Sequence, residues 1–175
     1  MTRQLGQLLR DASGATVVEF ALIAPLLLLL YLGGYGLSDA IACNRKVTTT
    51  ARSVADLVSR SSAVSESYVS TALGASSQVM APYKISSALV RVSEVKVTGT
   101  TTAQVIWSRA TGGTALTTGA SVAMPSGMAS TGSYMILGEV SYTYVPVEAW
   151  GASQAMTLSD RVFMSPRLSD QVPLS

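Results

Sequence analysis

Apolar residues dominate the chain from Ala15 onward, and from Phe20 to Ser38 there is no charged side chain at all. At a helical rise of ~1.5 Å per residue, those nineteen residues cover roughly the ~30 Å hydrocarbon core of a bilayer. The pattern predicts a membrane-crossing helix over residues 15–38. Pro25 removes one backbone hydrogen bond within it, a defect that membrane helices tolerate. Beyond the apolar run, Leu37, Ile41, Val47, Ala51, Val54, Ala55 and Val58 recur every three to four residues, so the helix is expected to continue amphipathically to about Arg60. Ser61 to Glu66 reads as a turn, with Ser65 placed to cap a second helix from Glu66 to about Val79. Its apolar positions are Val69, Ala72, Leu73 and Val79, and Pro82 stops it. Residues 39–82 therefore form an amphipathic helical region.

From Ser87 the period becomes two. Leu89–Val97, Ala103–Ser108, Met135–Val145 and Ala155–Met164 read as strands, rich in β-branched and aromatic residues. Val90 and Val92 are out of phase with Val95 and Val97, which predicts a bulge or twist near Ser93. Val105 and Trp107 share one face of the second strand, with Ile106 on the other and Trp107 in the core. In the third strand, Val140, Tyr142 and Tyr144 alternate with Glu139, Ser141 and Thr143, the pattern of a sheet buried on one face. Tyr142, Tyr144 and Trp150 are read as packing residues in preference to an exposed aromatic stripe. The Gly, Ser and Thr-rich stretch 110–133 is a long connection, either a partner-contact loop or a mobile link, in which Val122 and Met124 form a short extra strand before Pro125. The β domain spans 83–166, and the tail 167–175 is expected to fray. The fold class is α+β: a long N-terminal helix, half transmembrane and half amphipathic, packed on a small antiparallel sheet of about four strands.

Composition narrows the function. Charged residues make up 13% of the chain against ~25% in ordinary soluble domains, and the mean hydropathy is +0.38. Both favour a membrane or secreted setting. A net charge of +2 without a run of Lys or Arg leaves no electrostatic footprint for nucleic acid. There is no histidine, the commonest general base and metal ligand, and Lys46, Lys84 and Lys96 sit in polar contexts that do not activate a serine. No metal-ligand spacing, phosphate-cradling glycine loop or paired-carboxylate motif occurs. No catalytic residue, metal or cofactor is therefore expected. Cys43 is the single cysteine and reads as a small core hydrophobe. Arg52, Asp56 and Arg60 are spaced as surface ion pairs.

The remaining chemistry lies at the near edge of the apolar run. A carboxylate there, Glu19, costs free energy unless something offsets it. Cutting the chain after Gly14 would make Ala15 a terminal ammonium, one helical turn from Glu19 and on the same face. In a packed filament, Glu19 of one subunit could meet the Ala15 amine of the next, neutralising two buried charges.

The string Gly14, Ala15, Thr16, Val17, Val18, Glu19, Phe20 resembles the cleavage and assembly motif of type IV prepilins and pseudopilins. With the following run Ala21 to Leu30, it is most similar to the TadE and TadG pseudopilins of tight-adherence (Flp) pilus systems, TadE being nearer in length. The resemblance implies a leader of residues 1–14, a processing site at Gly14 and Ala15 cut by a prepilin peptidase, and an assembly role for Glu19 and Phe20. It implies a minor pseudopilin, in single-pass contact with lipid in the bacterial inner membrane. The amino end would be cytoplasmic and the C-terminal domain periplasmic. Its other partners would be pilins or pseudopilins and the inner-membrane assembly platform, with incorporation into an extracellular pilus open.

Charge bias does not fix orientation, because Arg3 and Arg10 before the span are matched by Arg45, Lys46 and Arg52 beyond it. Orientation rests on the resemblance. Gly33, Gly34 and Gly36 fit either close helix packing or local flexibility. Two other readings stay open. One is an uncleaved, membrane-anchored periplasmic scaffold or binding protein, with Gly14 a joint and Glu19 snorkelling to headgroups. The other is a secreted protein released before Cys43, after the small residues Ala40 and Ala42.

Overall fold

The computed structural model describes residues 12–146 and 154–175. The elements are α1 (Ala12–Ser59), α2 (Glu66–Met80), a 3-10 turn (Ile85–Ser87), β1 (Ala88–Val97), β2 (Thr102–Thr111), β3 (Ser121–Ala123), β4 (Tyr134–Tyr144) and β5 (Met156–Met164). This is an α+β, pilin-like arrangement in which a long, N-terminally apolar helix packs on a small antiparallel sheet. The sheet has five strands in the order β3-β2-β1-β4-β5. The fifth is the three-residue β3, around the Val122 that the pattern singled out. The chain divides into two units, Met1–Asp39 with Pro146–Gln154, and Ala40–Val145 with Ala155–Ser175.

The first unit's helical stretch includes Pro25 without a break. Its large apolar residues, from Val17 to Leu37, are exposed all round.

In the second unit the packed face of α1 is Cys43, Val47, Ala51, Val54, Ala55 and Val58, all buried. Ile41, expected on that stripe, is exposed, because the stripe enters the core at Cys43 instead. The helix backbone meets the sheet at Gly138 in β4. A Cβ built there would lie 2.4 Å from the Ala51 carbonyl oxygen and 2.9 Å from Ala55 Cβ. Only a hydrogen at this position lets α1 seat. α2 starts at Ser65, whose hydroxyl accepts the Tyr68 N–H at 3.2 Å. It buries Val69, Ala72, Leu73, Ser76 and Met80 against the same face. Met80 thus takes the place that the pattern gave to Val79.

The phase change in β1, read as a bulge or twist near Ser93, has its cause in the two covered faces of the sheet. β1 pairs with β4 in unbroken register from Ala88↔Tyr142 to Lys96↔Tyr134. Val90 and Val92 face α1 and α2, whereas Val95 and Val97 belong to a second cluster on the opposite face with Ala103, Val105, Val122, Met124, Met135 and Leu137. Both faces of the sheet are covered, so both phases are apolar. A bulge does occur at this level, but in β2. Glu94 pairs with Trp107 and Val95 with Val105, leaving Ile106 as the extra residue. It places Trp107 in the helix-facing cluster and Val105 in the opposite one, correcting the expectation that they share a face.

The cover on the second face is the 110–133 connection, which packs against the sheet. It leaves β2 through Gly112 (φ +71), where a Cβ would lie 1.9 Å from the Ala88 carbonyl oxygen. Ser108 Oγ accepts the Leu116 N–H at 3.0 Å while Ser93 donates to Ser108 at 2.8 Å. Arg91 Nη1 donates to the Thr114 carbonyl at 3.2 Å, and Gln104 to that of Gly119 at 3.1 Å. Leu116, Ala120 and Ala129 pack on the cluster.

The tail does not fray. Arg167 N–H donates to the Ser59 carbonyl at 2.8 Å, and Arg167 pairs with Asp56, which also pairs with Arg60. Val64 and Leu174 form a parallel bridge. Val172 is fully buried, its N–H donating to Glu94 Oε1 at 2.5 Å while the Trp107 indole donates to its carbonyl at 2.8 Å. Tyr142 and Tyr144 are core residues, the first edge-on to Tyr83 at 6.1 Å between ring centroids. Trp150 lies outside the described residues.

Two outcomes follow from this packing. Gly138→Ala should destabilise the domain by about 1–3 kcal/mol, the usual cost of overpacking, read as a lowered unfolding midpoint of the detergent-solubilised chain. Glu94 is 1% exposed, and burial pushes its carboxyl above the ordinary value against the opposing pull of the Val172 and Trp107 hydrogen bonds. A folded-state value above the unfolded one means its contribution is complete below about pH 4.5 and is lost as pH rises through the raised value. Glu94→Gln should therefore remove part of the stability loss between acid and neutral pH, measured by chemical denaturation across that range.

Candidate functional site

The first turns of α1 are the part of the molecule where the sequence concentrates unusual chemistry. Ala12–Ser59 is helical throughout, so the Gly14–Ala15 peptide bond falls in the first turn. A Cβ at Gly14 would meet nothing within 4 Å. Ala15 and Glu19 are four residues apart on one face of the helix. Phe20 is 66% exposed and Leu22 74%. Gly33, Gly34 and Gly36 likewise face open space, with nothing within 4 Å of an added Cβ. The structure thus brings Gly14, Ala15, Glu19 and Phe20 together on one exposed helical segment.

By length and composition, one helix among the described residues can cross a membrane, and its apolar window has a mean hydropathy of 2.3. The most apolar 18-residue window of that helix has no residue buried in the molecule. The single N-terminal apolar helix indicates single-pass membrane anchoring.

The β domain contains polar groups of a different kind. On the sheet face opposite α1, Glu139 is 5% exposed, where the strand alternation had placed it in solvent. Its two carboxylate oxygens accept from Arg91 Nε and Arg161 Nε, each at 2.7 Å. This trio floors a cleft of about 500 Å³ with Leu89, Ser141 and Ser159. At another cleft, of about 420 Å³, Arg109 pairs with Glu66 and holds that carboxyl below the usual range. Chemically these arrangements tie strands and helices together. Arg91 also reaches the covering loop, and Glu139 joins β1 to β5 across β4. Among the described residues no group of three His, Cys, Asp or Glu side chains converges.

Sequence reasoning missed Glu94 and Glu139. The signal for Glu94 was its phase, since it follows Val90 and Val92 on the face that packs against the helices. For Glu139 there was none without knowing that the second face is covered.

Compared with known protein families, residues 14–56 match the family model described as TadE-like protein. The match begins at the glycine of the motif and runs almost to the end of α1, in agreement with the resemblance read from Gly14 to Leu30. Neither the curated proteins nor the solved structures contain a match to the chain.

Proposed function

We propose, from the match over residues 14–56, that this chain is a TadE-like minor pseudopilin of a tight-adherence pilus system. A prepilin peptidase removes residues 1–14, and Ala15 becomes the mature amino terminus. The chain sits in the bacterial inner membrane with its amino end cytoplasmic and its domain periplasmic, and works with other pilins or pseudopilins and the assembly platform. The observation that supports this best is the coincidence of three features on one helix. The family match covers α1 and leaves the β domain outside. The matched helix opens with Gly14 and Glu19 at the spacing that juxtaposes a new ammonium and a carboxylate. Its large apolar residues from Val17 to Leu37 are exposed among the described residues, and hydrophobic surface on that scale requires lipid or neighbouring helices.

Glu19 gives this helix two environments. In the membrane its carboxylate lies at the interface, where the penalty is smaller than at the bilayer centre. Between helices, the Ala15 ammonium of a neighbour offsets the charge. The bond before Cys43 is a poorer site for release, because Cys43 is fully buried and a terminal ammonium there would enter the core.

Mass spectrometry of the native protein should give Ala15 as the first residue. Met1 or Thr2 would instead favour an uncleaved anchor, and Cys43 a secreted domain; either result overturns the reading. Glu19→Gln should leave the mature terminus at Ala15 but strongly reduce pilus assembly, counted by electron microscopy. Normal piliation in that variant would remove the pairing role.

A further inference from the structure

Within the second unit, strand register lines up two rows of side chains on the sheet face opposite α1. Arg91, Glu139 and Arg161 are ladder partners across β1, β4 and β5, and Leu89, Ser141 and Ser159 form the next row, two residues along each strand. Successive residues of a strand alternate faces, so both rows stand on the same side. Together they line the cleft of about 500 Å³, a volume within the ~300–1,000 Å³ of small-molecule sites. The start of the 110–133 connection closes in beside β1. A Cβ at Gly113 would lie 2.8 Å from Leu89 Cδ1, and the Thr114 carbonyl accepts from Arg91 Nη1 at 3.2 Å.

The bonds within the charged row do not use up its donors. Glu139, whose side chain is 7% exposed, takes Nε of each arginine. Arg91 Nη2, both Nη groups of Arg161 and the hydroxyls of Ser141 and Ser159 then have no bond among the described residues. Arg161 and Ser159 are exposed. Arg91 and Ser141 are half-buried, yet no buried side-chain nitrogen or oxygen lacks a partner among the described residues, so their unbonded groups open to solvent at the cleft. Two guanidinium groups share one carboxylate, which leaves the row one positive charge in excess. Asp160 also borders the cleft, but it follows the other strand phase, opposite Val140, and its Oδ1 accepts the Arg161 N–H at 2.8 Å.

We propose that this cleft binds an acidic sugar, with Arg161 taking the carboxylate and Ser141 and Ser159 the adjoining hydroxyls. A guanidinium anchored at Nε keeps its two Nη groups as a planar fork that matches a carboxylate bidentately. Serine hydroxyls both donate and accept, as sugar hydroxyls require. Leu89 supplies apolar surface for the C–H face of a ring. Glu139 is a positioning residue, buried and holding both arginines in register. The site goes beyond the pilus reading and depends neither on cleavage after Gly14 nor on α1 crossing a membrane.

The test is a titration of the full chain, labelled with ¹⁵N-arginine in detergent micelles, with D-glucuronate, D-glucose and acetate, followed by the NMR shifts of the arginine Nε–H signals. Glucuronate should bind about tenfold tighter than either of the others, because glucose lacks the charge and acetate lacks the hydroxyls. Arg161→Gln should weaken glucuronate binding by a similar factor while the unfolding midpoint shows the domain still folded. Arg109→Gln, at the cleft beside α2, should leave it unchanged. Ser159→Ala should weaken glucuronate several-fold and leave acetate unaffected. Acetate binding as tightly as glucuronate overturns the sugar assignment, and glucose doing so overturns the role of Arg161. Absence of glucuronate binding, or binding that survives Arg161→Gln, overturns the site itself. The mature terminus bears separately on the pilus reading.

Discussion

The domain depends on a backbone-to-backbone approach between α1 and β4. A helix ordinarily stands off a sheet by the thickness of two layers of side chains, but at Gly138 the Ala51 carbonyl and the Ala55 methyl occupy the place of a side chain. That approach sets α1 at the right depth for Cys43, Val47, Val54 and Val58 to share a core with Val90, Val92 and Val140. It also explains the small residues on the packed face of the helix, where Ala51 and Ala55 leave room for the strand. The C-terminal segment completes the arrangement, because Val172 fills the same core and Arg167 ties back to the last turn of α1.

Once one face of the sheet is committed to the helices, the other becomes the difficulty. A five-stranded sheet with valine and leucine on both faces cannot leave either in water without losing the burial that stabilises it. The 110–133 connection supplies the second cover, held by Ser108, Arg91 and Gln104 along its first half. Where that cover stops, the sheet keeps a polar surface built on Glu139 and its two arginines. A buried carboxylate bridged on both oxygens in this way orders three strands, and loss of either arginine would leave one of its oxygens without that partner in a desolvated place.

For the proposed function, α1 serves two solvents at once. Its second part obeys the rules of a water-soluble core, with a stripe buried and Arg45, Arg52 and Arg60 outside. Its first part is apolar on every side, as lipid or a bundle of like helices requires. The family match covers this two-part helix while the β domain remains outside it, so the helix is what this chain has in common with TadE-like proteins.

The apolar run, the Gly14–Glu19 spacing, the Ser65 cap and the placement of the strands were all legible in the sequence. Each depends on local chemistry: helix period, backbone capping, and the alternation of side chains along a strand. Neighbours distant in sequence decided the rest. Whether the second phase of β1 meant a kink or a second core depended on where 110–133 went, and no local pattern specifies that. The single extra residue at Ile106 put Trp107 and Val105 on opposite faces, a choice made by register against β1. Val172 reads as tail until Glu94 and Trp107 are seen to bind both sides of its peptide backbone. Periodicity reports which side chains seek cover, and only the folded chain determines what covers them.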